Sequence, residues 1–300
     1  MDKKRWIIGG LVLFALFTVG AILAVASSSK ERGKLSGEMS SLLSQNAIGI
    51  VEIEGIIYSS EDIIEELSTL EKDNSVKALV LRINSPGGAV APSQEIYSAV
   101  MNFRSSGKPI VASFGSVAAS GGYYIASAAD TIMANPGTLT GSIGVIFEFP
   151  TAPDLMKKIG VDMEVVKSGR YKDAGGLHRR LNEDERRLFQ VVIDDTWDQF
   201  VEAVAIGRGM EYDSVAKWAD GRIMTGRQAI TAGLVDLTGT YEDAKVLARE
   251  LADLSEDAPE KRANTGSGNS FFERLMKQPK EILDIKNKLM FGHLSYLFKP

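Results

Sequence analysis

Residues 108–130 read "KPIVASFGSVAASGGYYIASAAD". A short apolar run rich in β-branched residues, Ile110 to Phe114, has the length and composition of a buried strand. A pattern of Ala, Ile and Tyr from Gly121 onward reads as a helix. Between them Ser120 stands with Ala118 and Ala119 before it and Gly121 and Gly122 after it. Two readings fit a lone hydroxyl among such small neighbours. A tight strand-to-helix turn needs small residues and tolerates a serine. Alternatively, Ser120 is a nucleophile on a bare turn, with backbone N–H groups close by.

Working outward, the same alternation recurs. "AIGIVEIEGIIY" (47–58) and "VKALVLRIN" (76–84) read as strands. "DIIEELSTLEKDN" (62–74) and "SQEIYSAVMNFRSSG" (93–107) read as helices, and "TIMANP" (131–136) as a short strand. Strands joined by crossover helices predict an α/β fold with a largely parallel sheet. A long amphipathic helix is predicted over roughly 183–207, with Asn182 and Glu185 as a capping box. Phe189, Ile193, Trp197, Phe200 and Val204 share one face, which marks a packing surface. "YDSVAKWADGRIMTGRQAITAGLVD" (212–236) gives two short helices punctuated by glycine.

The ends differ from the middle. Lys3, Lys4 and Arg5 form a basic cluster, followed by an uncharged apolar run from Trp6 to Ala26. As a helix this run spans about 31 Å, the thickness of a bilayer core. The segments are therefore read as a short cytoplasmic N-terminus (1–5), a transmembrane signal-anchor helix (6–26) and a tether (27–46). "AVA" at 24–26 also resembles a small-residue cleavage site, so a cleaved signal peptide is the alternative. Basic residues flank both sides of the span, and the tighter N-terminal cluster orients the main domain outside. The main domain is read as 47–252. Residues 253–300 are read as a flexible linker and an amphipathic, partly helical tail ending in "HLSYLFKP".

Composition narrows the chemistry. The 300 residues are 44% hydrophobic, enough for a sizeable core. A net charge of -5 argues against a nucleic-acid partner. With no cysteine there is neither a disulfide nor a thiolate nucleophile or metal site. No His-Glu-x-x-His zinc pattern and no phosphate-binding loop is present, so neither metal nor cofactor is expected.

A serine needs a base to take its proton. The chain has two histidines. His293 lies in the terminal tail, and His178 sits beside two arginines in "GGLHRRLN", which makes it a poor base. Lysine is the other candidate. It accepts a proton only where burial disfavours its charge, and bringing it near neutrality costs roughly 4 kcal/mol. "KSGRYKDAGG" (167–176) offers Lys167 and Lys172. "LRINSPGGAV" (81–90) adds a turn after a strand end, where Gly87 and Gly88 let a backbone N–H approach a ligand. Acyl transfer needs such donors for its oxyanion, and the N–H of Gly121 is a second one.

Taken together, "NSPGG", "GSVAASGGYYIASAAD", "TLTGSIGV", "SGRYKD" and "ADGRIMTGRQAITAGLVD" resemble the signal peptide peptidase A family in its short, single-unit form. That resemblance covers about residues 48–240. It implies a fold related to Clp protease and crotonase, and a membrane-anchored serine endopeptidase of the bacterial cell membrane. It also implies that Ser120 is the nucleophile, Lys172 the general base and Ser142 the residue that orients Lys172. Gly88 matches the oxyanion-hole glycine, and Gly121 follows by analogy as its partner. Remnant signal peptides are the implied substrates. The implied assembly is a homo-oligomer whose sites are shared between subunits. One departure is visible: after "YKD" this chain reads "AGGLHRRLNEDE", where many relatives have a Ser-Pro segment, so the loop around the base is expected to be shaped differently. Two other classes remain open beside this one: a crotonase-like acyl-CoA enzyme and a non-catalytic membrane scaffold of the same fold. The apolar tail is further expected to enter the site as a product or self-inhibitor, or else to pack on membrane or subunit.

Overall fold

A computed structural model describes residues 45–263 and 294–297. The proposed anchor at 6–26, its flanks and most of the tail lie outside the described residues. Among the described residues no helix is long and apolar enough to cross a membrane.

Three strands form the centre of the main sheet: β1 (Ala47–Glu54), β2 (Val76–Ser85) and β4 (Ile110–Ala119). Beside β4 lies β5 (Thr131–Ala134), followed by β9 (Leu237–Thr238), and β10 (Glu260–Lys261) flanks β1. All these pairs are parallel, as the strand–helix alternation predicts. β10 falls within the stretch read from sequence as linker, yet Ile48 pairs with Glu260 and Gly49 with Lys261.

β2 shows why the sheet sits inside. Leu79, Leu81 and Ile83 face one core, together with residues of α1 (Glu61–Lys72), α2 (Val90–Ser105) and α3 (Gly121–Ala126). Ala78 and Val80 face the other, against Ala244 and Ala248 of α8 (Tyr241–Leu251). A strand buried on both faces carries a continuous apolar run rather than alternation. Between α3 and α8 lie α4 (Pro153–Lys158), α5 (Glu183–Arg208), α6 (Tyr212–Ala216) and α7 (Gly226–Thr231). The expected capping box of α5 is present, with both Asn182–Glu185 bonds made, and Gly209 ends the helix in the left-handed region at φ 61°.

β4 forks. Its lower half, Val111 to Ser113, pairs with β5; its upper half, Val117 to Ala119, pairs with β6 (Leu139–Gly141). β6 in turn pairs antiparallel with β8 (Ile223–Thr225), a strand the sequence reading did not anticipate between the two short helices. On its other edge, β4 slips register against β2 between Ile83 and Ser85. Asn84 covers that irregularity: its Oδ1 accepts the N–H of Ser116 (3.1 Å) and of Val117 (3.3 Å). A side chain at Gly115 would meet Asn84 atoms at 2.8 Å, so the bulge needs the glycine.

A second sheet of three strands is built on β3 (Gly87–Ala89), β7 (Ile146–Phe147) and β11 (Leu294–Leu297). Residues 294–297 of the tail are therefore a strand; the helical part expected from the sequence pattern lies outside the described residues.

Candidate active site

Ser120 sits between β4 and α3, with φ 52° and ψ -118°. A non-glycine residue in this region is strained, and such a turn pushes the side chain out of the strand line. Two backbone bonds hold it: the Ser120 N–H donates to Gly141 O and the Tyr124 N–H to Ser120 O, both 2.8 Å. The residue is 1% exposed. Ser142 has a positive φ of 51° and is also buried, its N–H donating to Arg222 O at 2.7 Å. Ala119 pairs with Gly141 across the β4–β6 ladder. The register therefore carries Ser120 and Ser142 one step beyond the same paired position, on backbones about 4.8 Å apart.

The glycines close the other side. A Cβ on Gly121 would lie 3.2 Å from Gly88 N and 3.3 Å from Gly87 Cα. The "PGG" backbone is thus packed against the start of α3, where the first N–H groups of a helix have no partner within it. Gly87 has φ 99°, and a Cβ there would lie 2.7 Å from Gly121 N. Gly88 is pressed on the backbone of Ile57, with which it forms a bridge. Side chains at these two positions would force the backbones apart.

Lys172 is placed differently. It lies in the loop 159–182, which contains neither helix nor strand, and it is exposed. Among the described residues no hydrogen bond joins it to Ser120 or Ser142. The same loop exposes Ile159, Val161, Met163 and Val165, and Val166 is 94% exposed. Together they form an exposed apolar run.

The neighbour of Lys172 is firmly held. The Asp173 carboxylate accepts from Arg179 Nε (3.0 Å) and Nη2 (2.7 Å) and from Lys167 Nζ (2.5 Å). Arg179 also donates to Glu185 through Nη1 (2.8 Å) and Nη2 (2.5 Å). His178 Nε2 stands 3.7 Å from the same Asp173. The histidine considered as an alternative base thus faces a carboxylate in the loop. Hydrogen bonds from Arg179 and Lys167 hold the Asp173 carboxyl well below its usual range. Arg179 lowers Glu185 from 4.5 to about 2, against the opposing effect of its burial. Because the folded values are depressed, their stabilisation is full above about pH 4.5 and is lost as pH falls towards 2. Asp173 here faces Arg179, Lys167 and His178, and Arg179 also faces Glu185. We expect amide exchange in residues 161–182 to rise between pH 4.5 and 2.5 before that of β2 does. Equal protection of both segments across that range would contradict it.

The strand β11 crosses this region. It lies antiparallel between β3 and β7, with Tyr296 opposite Gly88, Leu297 opposite Gly87 and Ser295 opposite Ile146. Tyr296 is fully buried. Its ring stacks on Tyr124 (5.2 Å, 20°) and leans on Phe200 (4.6 Å), and its hydroxyl donates to Thr196 O at 3.3 Å. Beyond Leu297 a cavity of about 720 Å³ opens, lined in part by Ser142, Gly144, Ile146, Trp197 and Gly221. Among the described residues no group of three or more His, Asp or Glu side chains is arranged to hold a metal ion.

Residues 102–255 match peptidase family S49, and residues 28–138 match Clp protease. The chain belongs to peptidase family S49. A protein of Synechocystis sp. named as a candidate protease is 46% identical over 215 residues, 71% of this chain and 77% of that one. A candidate signal peptide peptidase of Enterococcus faecium is 39% identical over 62% of this chain and 54% of its own. The chloroplastic serine protease SPPA of Arabidopsis thaliana is 32% identical over 84% of this chain but 34% of its own length. This S49 member is a serine endopeptidase on a Clp-like, parallel-rich α/β fold.

Sequence reasoning missed the Asn84 bridge, the Arg179 bonds and the tail strand. Asparagine at the end of a buried strand was the only available signal for the first. Arg179 lies six residues from each of its carboxylate partners, a spacing with no periodic meaning in a loop.

Proposed function

We propose that the protein is a membrane-anchored Ser-Lys endopeptidase that degrades remnant signal peptides and similar apolar peptides at the bacterial membrane, its catalytic domain outside the cytoplasm. The observation that carries this reading is the convergence of a strained, buried Ser120 with Ser142 and with the Gly88–Gly121 backbone. In the proposed reaction Ser120 Oγ attacks the substrate carbonyl while Lys172 Nζ takes the hydroxyl proton. The N–H groups of Gly88 and Gly121 receive the oxyanion. The same proton passes to the leaving amine, and water then hydrolyses the acyl-enzyme by the reverse proton route. Ser142 orients the amine. The apolar run at 6–26 supplies the anchor, and a relative named as a signal peptide peptidase supports the substrate class.

A lysine acts as a base only where water is kept from its amine. The exposure of Lys172 in a single chain, beside an apolar run, therefore supports a homo-oligomer in which a second copy brings its Lys172 to Ser120. The tail strand supports an extended peptide as substrate, since it adds a strand across Gly88 by main-chain pairing.

The test is hydrolysis of a fluorogenic signal-peptide-like substrate by the full chain in detergent micelles, beside a chain lacking residues 281–300. Both should cleave, and the shortened chain should be about 3- to 10-fold faster at low substrate because its slot is open. Absence of cleavage by either, with both folded and oligomeric, would move the assignment to the scaffold class. Equal rates would remove the tail as an inhibitor.

A further inference from the structure

The loop that carries Lys172 has little to hold it. Most of its backbone bonds are local turns, among them Lys172 N–H to Gly169 O (3.2 Å) and Gly176 N–H to Asp173 O (3.1 Å), with outward ties from Val161 N–H to Met156 O (2.9 Å) and from Ala152 N–H to Leu177 O (2.8 Å). Side-chain ion pairs supply the rest: Arg170 with Asp184, Arg180 with Asp154, and Arg179, the least exposed of these arginines. Its guanidinium grips Asp173, the residue next to Lys172, and in the same fork grips Glu185 in the first turn of α5. Glu185 is 1% exposed and is itself fixed: its Oε2 accepts the Asn182 N–H (3.0 Å), while its own N–H donates to Asn182 Oδ1 (2.9 Å). A planar fork bonded to two carboxylates defines position and angle together, which a lysine cannot do.

We infer that Arg179 is a positioning residue for the Lys172 base, locking its loop to the capped end of α5 and keeping the Asp173 carboxylate occupied. The second part is chemical. A free carboxylate next to Lys172 would pair with its ammonium and favour the charged form, which cannot accept a proton. Arg179 and Lys167 together neutralise Asp173, with Glu185 balancing the second charge and His178 standing by. This inference rests on the reading of Lys172 as the base.

The experiment uses the full chain in detergent micelles with the fluorogenic peptide, comparing wild type, Arg179→Gln, Arg179→Ala and Lys172→Ala from pH 6 to 10. A misplaced catalytic group costs on the order of 100-fold in rate. Arg179→Gln should lower kcat by about 10- to 100-fold, leave KM within about 3-fold, and move the basic limb of the rate profile to higher pH. Millimolar guanidinium should restore part of the kcat of Arg179→Ala, an effect that a merely structural role would not give. A wild-type kcat and profile in Arg179→Gln, with Lys172→Ala inactive, would overturn the positioning role and leave the base reading intact. An active Lys172→Ala would overturn the base reading itself. If the Arg179 variants fail to fold, Asp173→Ala decides: it should lose kcat with KM held, and a wild-type kcat would sink the inference.

Discussion

Replacing Ser120 with alanine should leave a folded protein whose peptidase activity is lower by roughly 10⁴-fold or more, the range seen when a serine nucleophile is removed. The substitution is small, but its site is unusual. Ser120 holds φ 52° at the head of α3, and its N–H and C=O are both used, by Gly141 and Tyr124. Alanine keeps both bonds and the same strain, so the effect falls on the hydroxyl alone. Thermal unfolding of the variant should stay within a few degrees of wild type while turnover of the fluorogenic peptide disappears. Retained turnover would show that another hydroxyl attacks, and Ser142, on the adjacent strand end, would be the first to examine.

The second large effect is restoration rather than loss. Ser120→Ala and Lys172→Ala chains should each be inactive alone. Mixed under conditions that let subunits exchange, they should recover activity, up to about a quarter of wild type for random pairing of two half-defective contributors. The reason is geometric. Ser120 is buried at a sheet fork, while Lys172 is exposed in the loop that also exposes Val166, and among the described residues no hydrogen bond joins the two. If a second copy delivers the amine, a mixed pair contains one intact combination. If both groups come from one chain, mixing restores nothing. An inactive mixture with demonstrated exchange would therefore assign the site to a single subunit and require the loop 159–182 to fold inward.

The fold was largely legible because its signals are local. The apolar run 76–84 and the strand–turn–helix at 108–130 need no distant partner to be recognised, and the Asn182–Glu185 box fixed the start of α5 to the residue. The strand–turn–helix around Ser120 was legible for the same reason: small residues bracket it in one stretch. What the sequence hid depends on long-range pairing. "LSYL" is four residues whose partners lie at 87–89 and 146–147, and nothing in its pattern separates strand from helix. β10 was hidden likewise, two residues in a polar stretch that pair with the far end of the chain. The Arg179 bonds were hidden because charge pairing in a loop follows no period.

The fork in β4 has a consequence for how such a protein changes over evolutionary time. Below the fork, Val111 to Ser113 complete the parallel sheet and its two cores; above it, Val117 to Ala119 and β6 carry Ser120 and Ser142. The base of the sheet and the two serines of the proposed site are served by different partners of one strand. A lineage can therefore exchange the two hydroxyls above the fork while the sheet beneath persists. On this architecture a hydrolase can drift into a binding protein, or into a different acyl-transfer enzyme, without passing through an unfolded ancestor.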